Sequence, residues 1–178
     1  RSGDVKADGL LETAYSIVAI TSGKIEAGVR HALAGQRLLL QISDEELRAL
    51  APFTPVYPHV CAGQFTRARE LVEEVLDSTR GHPEWGFDLW QLSAWAWGHF
   101  MQGAIEIYVG NLRRAKAPLE EGIELARQHG DPESEGWALA WLSEVAAIAG
   151  DAEIGLGPCQ RSLEIAEKMG SPYSRAVS

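Results

Sequence analysis

The chain has 178 residues, 46% of them hydrophobic, with 16 lysines and arginines against 25 aspartates and glutamates and a formal charge of −9. A chain of this length buries about 70% of the surface its unfolded form exposes, so it can build a core without disulfides or metals. The acidic balance argues against a nucleic-acid surface, which needs clustered cations; Cys61 and Cys159, far apart and outside any CxxC or Cys/His spacing, exclude a disulfide framework and a sequence-readable zinc site, and fit a reducing, cytoplasmic compartment.

In chain order, Arg1-Ser2-Gly3-Asp4 opens without an initiator Met and without an apolar run behind a basic start, so it reads as the start of a fragment with no visible signal peptide. Helices are predicted at 5–21, 24–42, 44–52, 65–79, 84–108, 111–129, 132–148 and 151–169. Strand signals are weak, so the chain reads as all-α. Pro52, Pro55 and Pro58 fall where a helix would otherwise run, and an interior proline costs about 3 kcal/mol, so Phe53 to His59 is predicted irregular or broken. The apolar stretch Leu89 to Ile105 is interrupted by Gln91, Ser93, Gly98, His99 and Gln102, and it falls short of the roughly 20 residues of a membrane span. It is predicted to be a buried helix, with no membrane partner. Ser171-Pro172-Tyr173 looks like a helix start, and a helix cut at Ser178 is expected.

The organising signal is a repeat. Small-residue turns recur at Ser22-Gly23, Ala62-Gly63, Val109-Gly110 and Ala149-Gly150, with the glycines 40, 47 and 40 residues apart. Five residues after each stands a small residue, Gly28, Ala68, Ala115 or Gly155, which is what close approach of two helices requires. Val72 and Leu76, Leu119 and Ile123, Cys159 and Leu163 then keep i, i+4 spacing on one helix face, and Cys159 is expected to be a small buried hydrophobe like Val72 and Leu119. Gly130-Asp131-Pro132 matches Gly170-Ser171-Pro172: a left-handed C-cap, an N-cap, and a proline in the first turn. Each unit is therefore helix A, a glycine turn, helix B and a break. The third helix A is longer by seven residues, expected either to project beyond the stack or to kink near Gly98 or Gly103.

Gly63 with Ala68, Gly110 with Ala115, and Gly103 resemble the turn glycine, helix B alanine and helix A glycine of tetratricopeptide-like repeats, although the period of about 40 exceeds the usual 34 or so. His82-Pro83-Glu84-Trp85-Gly86-Phe87-Asp88, Leu125 through Ser134, and Ile165 through Pro172 resemble the degenerate repeats at the C-terminal side of large bacterial signalling ATPases, which carry adenylate/guanylate cyclase-like or DNA-binding output domains. The resemblance implies an α-α superhelix of about four helix pairs in a single domain, 1–178, with repeats near 5–43, 44–81, 83–130 and 131–170. It implies a non-catalytic scaffold for protein interaction or ligand sensing, with any cyclase or ATPase activity outside this chain.

No phosphate loop, Gly-x-Ser-x-Gly elbow or His-Glu-x-x-His occurs, and the five histidines sit at different repeat positions, so no cofactor, metal or catalytic residue is expected. The acidic runs Asp44-Glu45-Glu46, Glu73-Glu74, Glu120-Glu121 and Asp131-Glu133-Glu135 read as solvated or capping groups. All six tryptophans fall in the third and fourth A helices. Trp90 and Trp97 share a face at i, i+7, as do Trp137 and Trp141 at i, i+4. These four, with Glu144 and Arg113, form the candidate surface for a protein or peptide partner, the competing reading being core packing. The alternative function is a small-molecule-binding protein or small enzyme with a pocket between the Trp-rich A helices. Unfinished ends of such a stack expose apolar faces, so self-association through a terminal repeat is also expected.

Overall fold

A computed structural model describes residues 3–177, and among these every regular element is a helix. The chain divides into two compact units, residues 1–80 and 81–178. The first holds α1 (Val5–Thr21), α2 (Ile25–Leu39), the short α3 (Glu45–Ala49), α4 (Phe53–Cys61) and α5 (Phe65–Thr79). The second holds the single-turn α6 (Phe87–Trp90), α7 (Ala94–Tyr108), α8 (Leu112–His129), α9 (Pro132–Ile148), α10 (Ala152–Met169) and α11 (Pro172–Val177).

The repeat reading holds at the level of individual atoms. Gly23, Gly63, Gly110 and Gly150 all adopt positive φ, between 70° and 87°. A residue with a Cβ is strained there, which is why the sequence returns to glycine at each turn. Each turn closes with the same two bonds; in the third, Gly110 N donates to Ile107 O at 2.9 Å and Asn111 N donates to Glu106 O at 2.8 Å. In two turns the side chain of the residue after the glycine also reaches back five positions: Gln64 meets the ring of buried His59, and Asn111 Nδ2 donates to a carboxylate oxygen of buried Glu106 at 2.9 Å.

Within the first unit α1 packs on α2, α2 on α4 and α4 on α5, around the fully buried Leu39, Leu50, Val56, Leu71, Val72 and Val75. Within the second, α7 packs on α8, α8 on α9 and α9 on α10, while the A-type helices α7 and α9 also touch. Gly28, Ala68, Ala115 and Gly155 are buried, as the close-approach argument requires. A Cβ on Gly28 would lie 2.5 Å from Ile20 Cδ1. Gly103 on α7 serves the same purpose: an added Cβ would stand 2.5 Å from Leu119 Cγ and 3.0 Å from the Ala115 carbonyl oxygen of α8.

Four expectations are corrected. The segment Phe53 to His59 is helical, because α4 starts only after a turn at Leu50–Pro52. Pro52 then sits at the N-cap and Pro55 in the first turn, where backbone N–H groups have no intrahelical acceptor, so Pro58 alone removes a helical bond. The predicted helix 84–108 is two helices. Its extra residues neither project nor kink at Gly98 or Gly103, which lie within the continuous α7. They form a connection in which Gly86 has φ 104°, Gln91 has φ 59°, and Ala94 N returns to Trp85 O at 2.9 Å; Ser93 then caps α7 by accepting from Ala96 N. Cys159 is half-buried and Leu163 is 42% exposed, whereas the equivalent Leu119 and Ile123 of α8 are buried, so the fourth B helix does not repeat the core register of the third. Finally, Glu135 is buried instead of solvated, while Asp131 caps α9 as expected, accepting from Ser134 N, but does so from a buried position.

Candidate interaction surface

The surface is assembled from α7 and α9. On α7, Phe100 and Tyr108 are two turns apart; on α9, Trp137 and Trp141 are one turn apart. Phe100 meets both tryptophans, with ring centroids 6.0 Å from Trp137 and 6.4 Å from Trp141, and Tyr108 meets Trp141 edge-on at 5.1 Å. These are separations and tilts at which aromatic quadrupoles attract. The contacts advance along both helices together, Phe100 with Trp137 and then Tyr108 with Trp141, so α7 and α9 run parallel. Phe100 is nearly buried, the two tryptophans are half-buried and Tyr108 is 51% exposed, so the cluster begins in the core and opens towards the C-terminal ends of the two helices. Glu144 and Ile148 continue the α9 face, both exposed, at seven residues from Trp137 and Trp141 respectively.

The six residues singled out from the sequence separate. Trp137, Trp141 and Glu144 share one face of α9. Trp97 is 6% exposed within α7 and belongs to the interior. Trp90 ends α6, beyond the break at Gln91–Ser93, so the expected i, i+7 face with Trp97 does not exist. Trp85 likewise lies before α6, stacked on His82 with centroids 3.9 Å apart and an interplanar angle of 8°, so the tryptophans are not confined to A helices. Arg113 is exposed in the first turn of α8, a B-type helix. Two surface members, Phe100 and Tyr108, were missed. Their i, i+8 spacing on one helical face is the signal in the sequence, weaker than the tryptophan clustering beside it.

Electrostatics organises the opposite side of the same helices. Asp131 Oδ2 accepts from Ser93 N at 2.8 Å and Oδ1 from Ser134 N at 2.9 Å, so one carboxylate ties the start of α7 to the start of α9. Burial pushes its pKa up, and the hydrogen bonds from Ser134 and Ser93 only partly oppose this. Glu135 binds Arg127 of α8 at 2.8 Å and lies 3.7 Å from Arg161 of α10. These four side chains line an open cavity of about 320 Å³ among α8, α9 and α10, away from the aromatic surface. In the first unit, burial raises the Cys61 thiol pKa despite a hydrogen bond from Tyr57, the reverse of what a reactive cysteine needs.

Paired antiparallel helices, positive-φ glycine turns and small residues five positions on define the class: an all-α helical-repeat fold of the tetratricopeptide-like type. No family model and no curated protein matches the chain. Solved structures do. The chain is similar to a Rap protein solved with competence and sporulation factor, with TM-score 0.76 and 16% identity, covering 95% of this chain and 47% of that one. It is similar to BtubC (BKLC) from P. vanneervenii, with TM-score 0.69 and 16% identity over 96% of this chain and 68% of that one. It also resembles a signal transduction ATPase with numerous domains (STAND) and a tetratricopeptide repeat sensor from Pyrococcus horikoshii, with TM-score 0.69 and 17% identity over 93% of this chain and 24% of that one. The chain thus spans about half of the Rap chain and a quarter of the STAND protein. None of its helices is long and apolar enough to cross a membrane, among the described residues.

Proposed function

We propose that the chain is a non-catalytic protein- or peptide-binding scaffold, part of a bacterial signalling or regulatory protein of the cytoplasm, and that its recognition surface is the α7–α9 face. The observation that carries the reading is the half-open aromatic cluster. A core has no use for Tyr108 at 51% exposure held against Trp141, whereas a binding surface does, because large aromatics bury much area at little entropic cost. The fold likeness to a Rap protein solved with competence and sporulation factor and to a STAND protein with a tetratricopeptide repeat sensor supports the same role. The exposed apolar side chains Ile154, Leu156 and Leu163 of α10 support self-association through the fourth repeat as a separate, weaker contact.

An array of random twelve-residue peptides probed with the chain tests the proposal. Retained peptides should quench or shift tryptophan emission in solution, and retention should fall in Trp141→Ala, with circular dichroism confirming the fold. Retention of no peptide, or retention indifferent to Trp141, would overturn it.

A further inference from the structure

The second unit distributes its charge unevenly. Between Gly81 and Met169 every lysine and arginine lies on α8 or α10, while the A-type helices α7 and α9 carry Glu106, Glu133, Glu135 and Glu144 and no lysine or arginine. Neither α7 nor α9 has a basic residue in its last turn, in contrast to Arg127 and His129 on α8 and Lys168 on α10. A helix C-terminus carries a partial negative charge that Lys, Arg or His⁺ ordinarily offsets. Because α7 and α9 run parallel, their C-terminal ends, neither with a basic residue in its own last turn, lie at the same end of the surface, where the aromatic cluster opens; the cations that follow α7, Arg113 and Arg114, belong to the first turn of α8. Glu144 stands there, exposed, one turn beyond Trp141. An aromatic face flanked by a carboxylate and two negative helix ends is matched by a cation carried on an apolar stem, which gains both the ring quadrupole and the charge.

Resting on the scaffold reading above, we infer that the α7–α9 face selects a basic peptide segment, its arginine or lysine lying against Trp141 and Tyr108 with the charge held by Glu144 and a neighbouring apolar side chain resting on Ile148. Arginine is favoured over lysine, because the planar guanidinium stacks on an aromatic ring while binding a carboxylate in its own plane. On the B-type helices, Arg127 and Arg161 are engaged by acids, Glu135 and Glu164, away from this contact.

The test uses the same peptide array with the wild-type chain and with Glu144→Gln and Glu144→Lys, both at an exposed position whose exchange leaves the fold intact. Retained peptides should be enriched in Arg or Lys beside an apolar residue. For the best of them, fluorescence anisotropy should show affinity falling about two- to fivefold in Glu144→Gln and about tenfold in Glu144→Lys. Replacing the peptide's arginine with neutral citrulline should cost the same, and the loss should shrink as salt is raised. Peptides that are retained and lost in Trp141→Ala, or in Tyr108→Ala should the tryptophan variant unfold, yet are neutral or acidic and indifferent to Glu144, overturn the charge selection and leave the scaffold reading standing. Retention of no peptide overturns both.

Discussion

Replacing Asp131 with alanine measures how strongly one carboxylate couples two helix starts. Asp131 is 1% exposed and accepts from Ser93 N at 2.8 Å and from Ser134 N at 2.9 Å, at residues that are themselves buried. Loss of the α9 N-cap costs about 1 kcal/mol. Stranding the Ser93 N–H away from water adds about 1–3 kcal/mol. Removing a charge that burial disfavours returns part of this, so the net loss should be about 2–4 kcal/mol, read as a drop in the midpoint of urea unfolding followed by circular dichroism. Asp131→Asn keeps one acceptor but turns an amide N–H towards a backbone N–H, and should lose about half as much. The pH dependence has a definite sign. Because the folded chain holds the Asp131 proton more tightly than the unfolded chain, whose ordinary value is 3.8, this group's contribution is complete below that pH and is lost as pH rises through the raised folded value. Wild type should therefore gain on Asp131→Asn as pH falls towards 4. An alanine variant within about 0.5 kcal/mol of wild type would refute the coupling.

Two further outcomes are expected. Gly103→Ala and Gly157→Ala should move in opposite directions in differential scanning calorimetry: the first overpacks Leu119 and the Ala115 carbonyl and costs about 1–3 kcal/mol, whereas the second has nothing within 4 Å and gains up to about 1 kcal/mol of helix propensity. Leu163→Lys, on the open face of α10, should leave thermal stability within about 0.5 kcal/mol of wild type while abolishing any concentration-dependent association in sedimentation velocity; association that survives it locates the self-contact elsewhere.

What the sequence disclosed was the part fixed by backbone conformation. A positive φ in a tight turn favours glycine, and because that requirement recurs at nearly fixed spacing, Gly23, Gly63, Gly110 and Gly150 could be read without coordinates. Proline misled at Phe53 to His59 because its cost depends on where the helix begins: Pro55 is an error in the middle of a helix and harmless in its first turn. The break before α7 was hidden because Ser93, its cap, stands inside an uncharged run that continues the helical pattern on both sides. Burial of Asp131 and Glu135 depends on what faces them, and their partners Ser93, at the start of α7, and Arg161, on α10, are distant in sequence. The aromatic surface was half legible. Trp137 and Trp141 share a face by periodicity alone, but Phe100 and Tyr108 join them only through the packing of α7 on α9.

The four residues that follow the turn glycines, Lys24, Gln64, Asn111 and Asp151, occupy one position of the repeat and are all exposed, yet they are not interchangeable. Five positions back, the first and last face Ala19 and Ala146, whereas Gln64 and Asn111 meet the buried polar groups of His59 and Glu106. The turn thus acts as a two-letter word whose letters must change together. A repeat transplanted or redesigned with its amide but without its buried polar partner, or the reverse, keeps the same backbone and leaves a stranded polar atom inside. Lys24 and Asp151, which answer to no partner five positions back, are the turns at which a label, a cross-link or a new sequence can be introduced with least consequence for the fold.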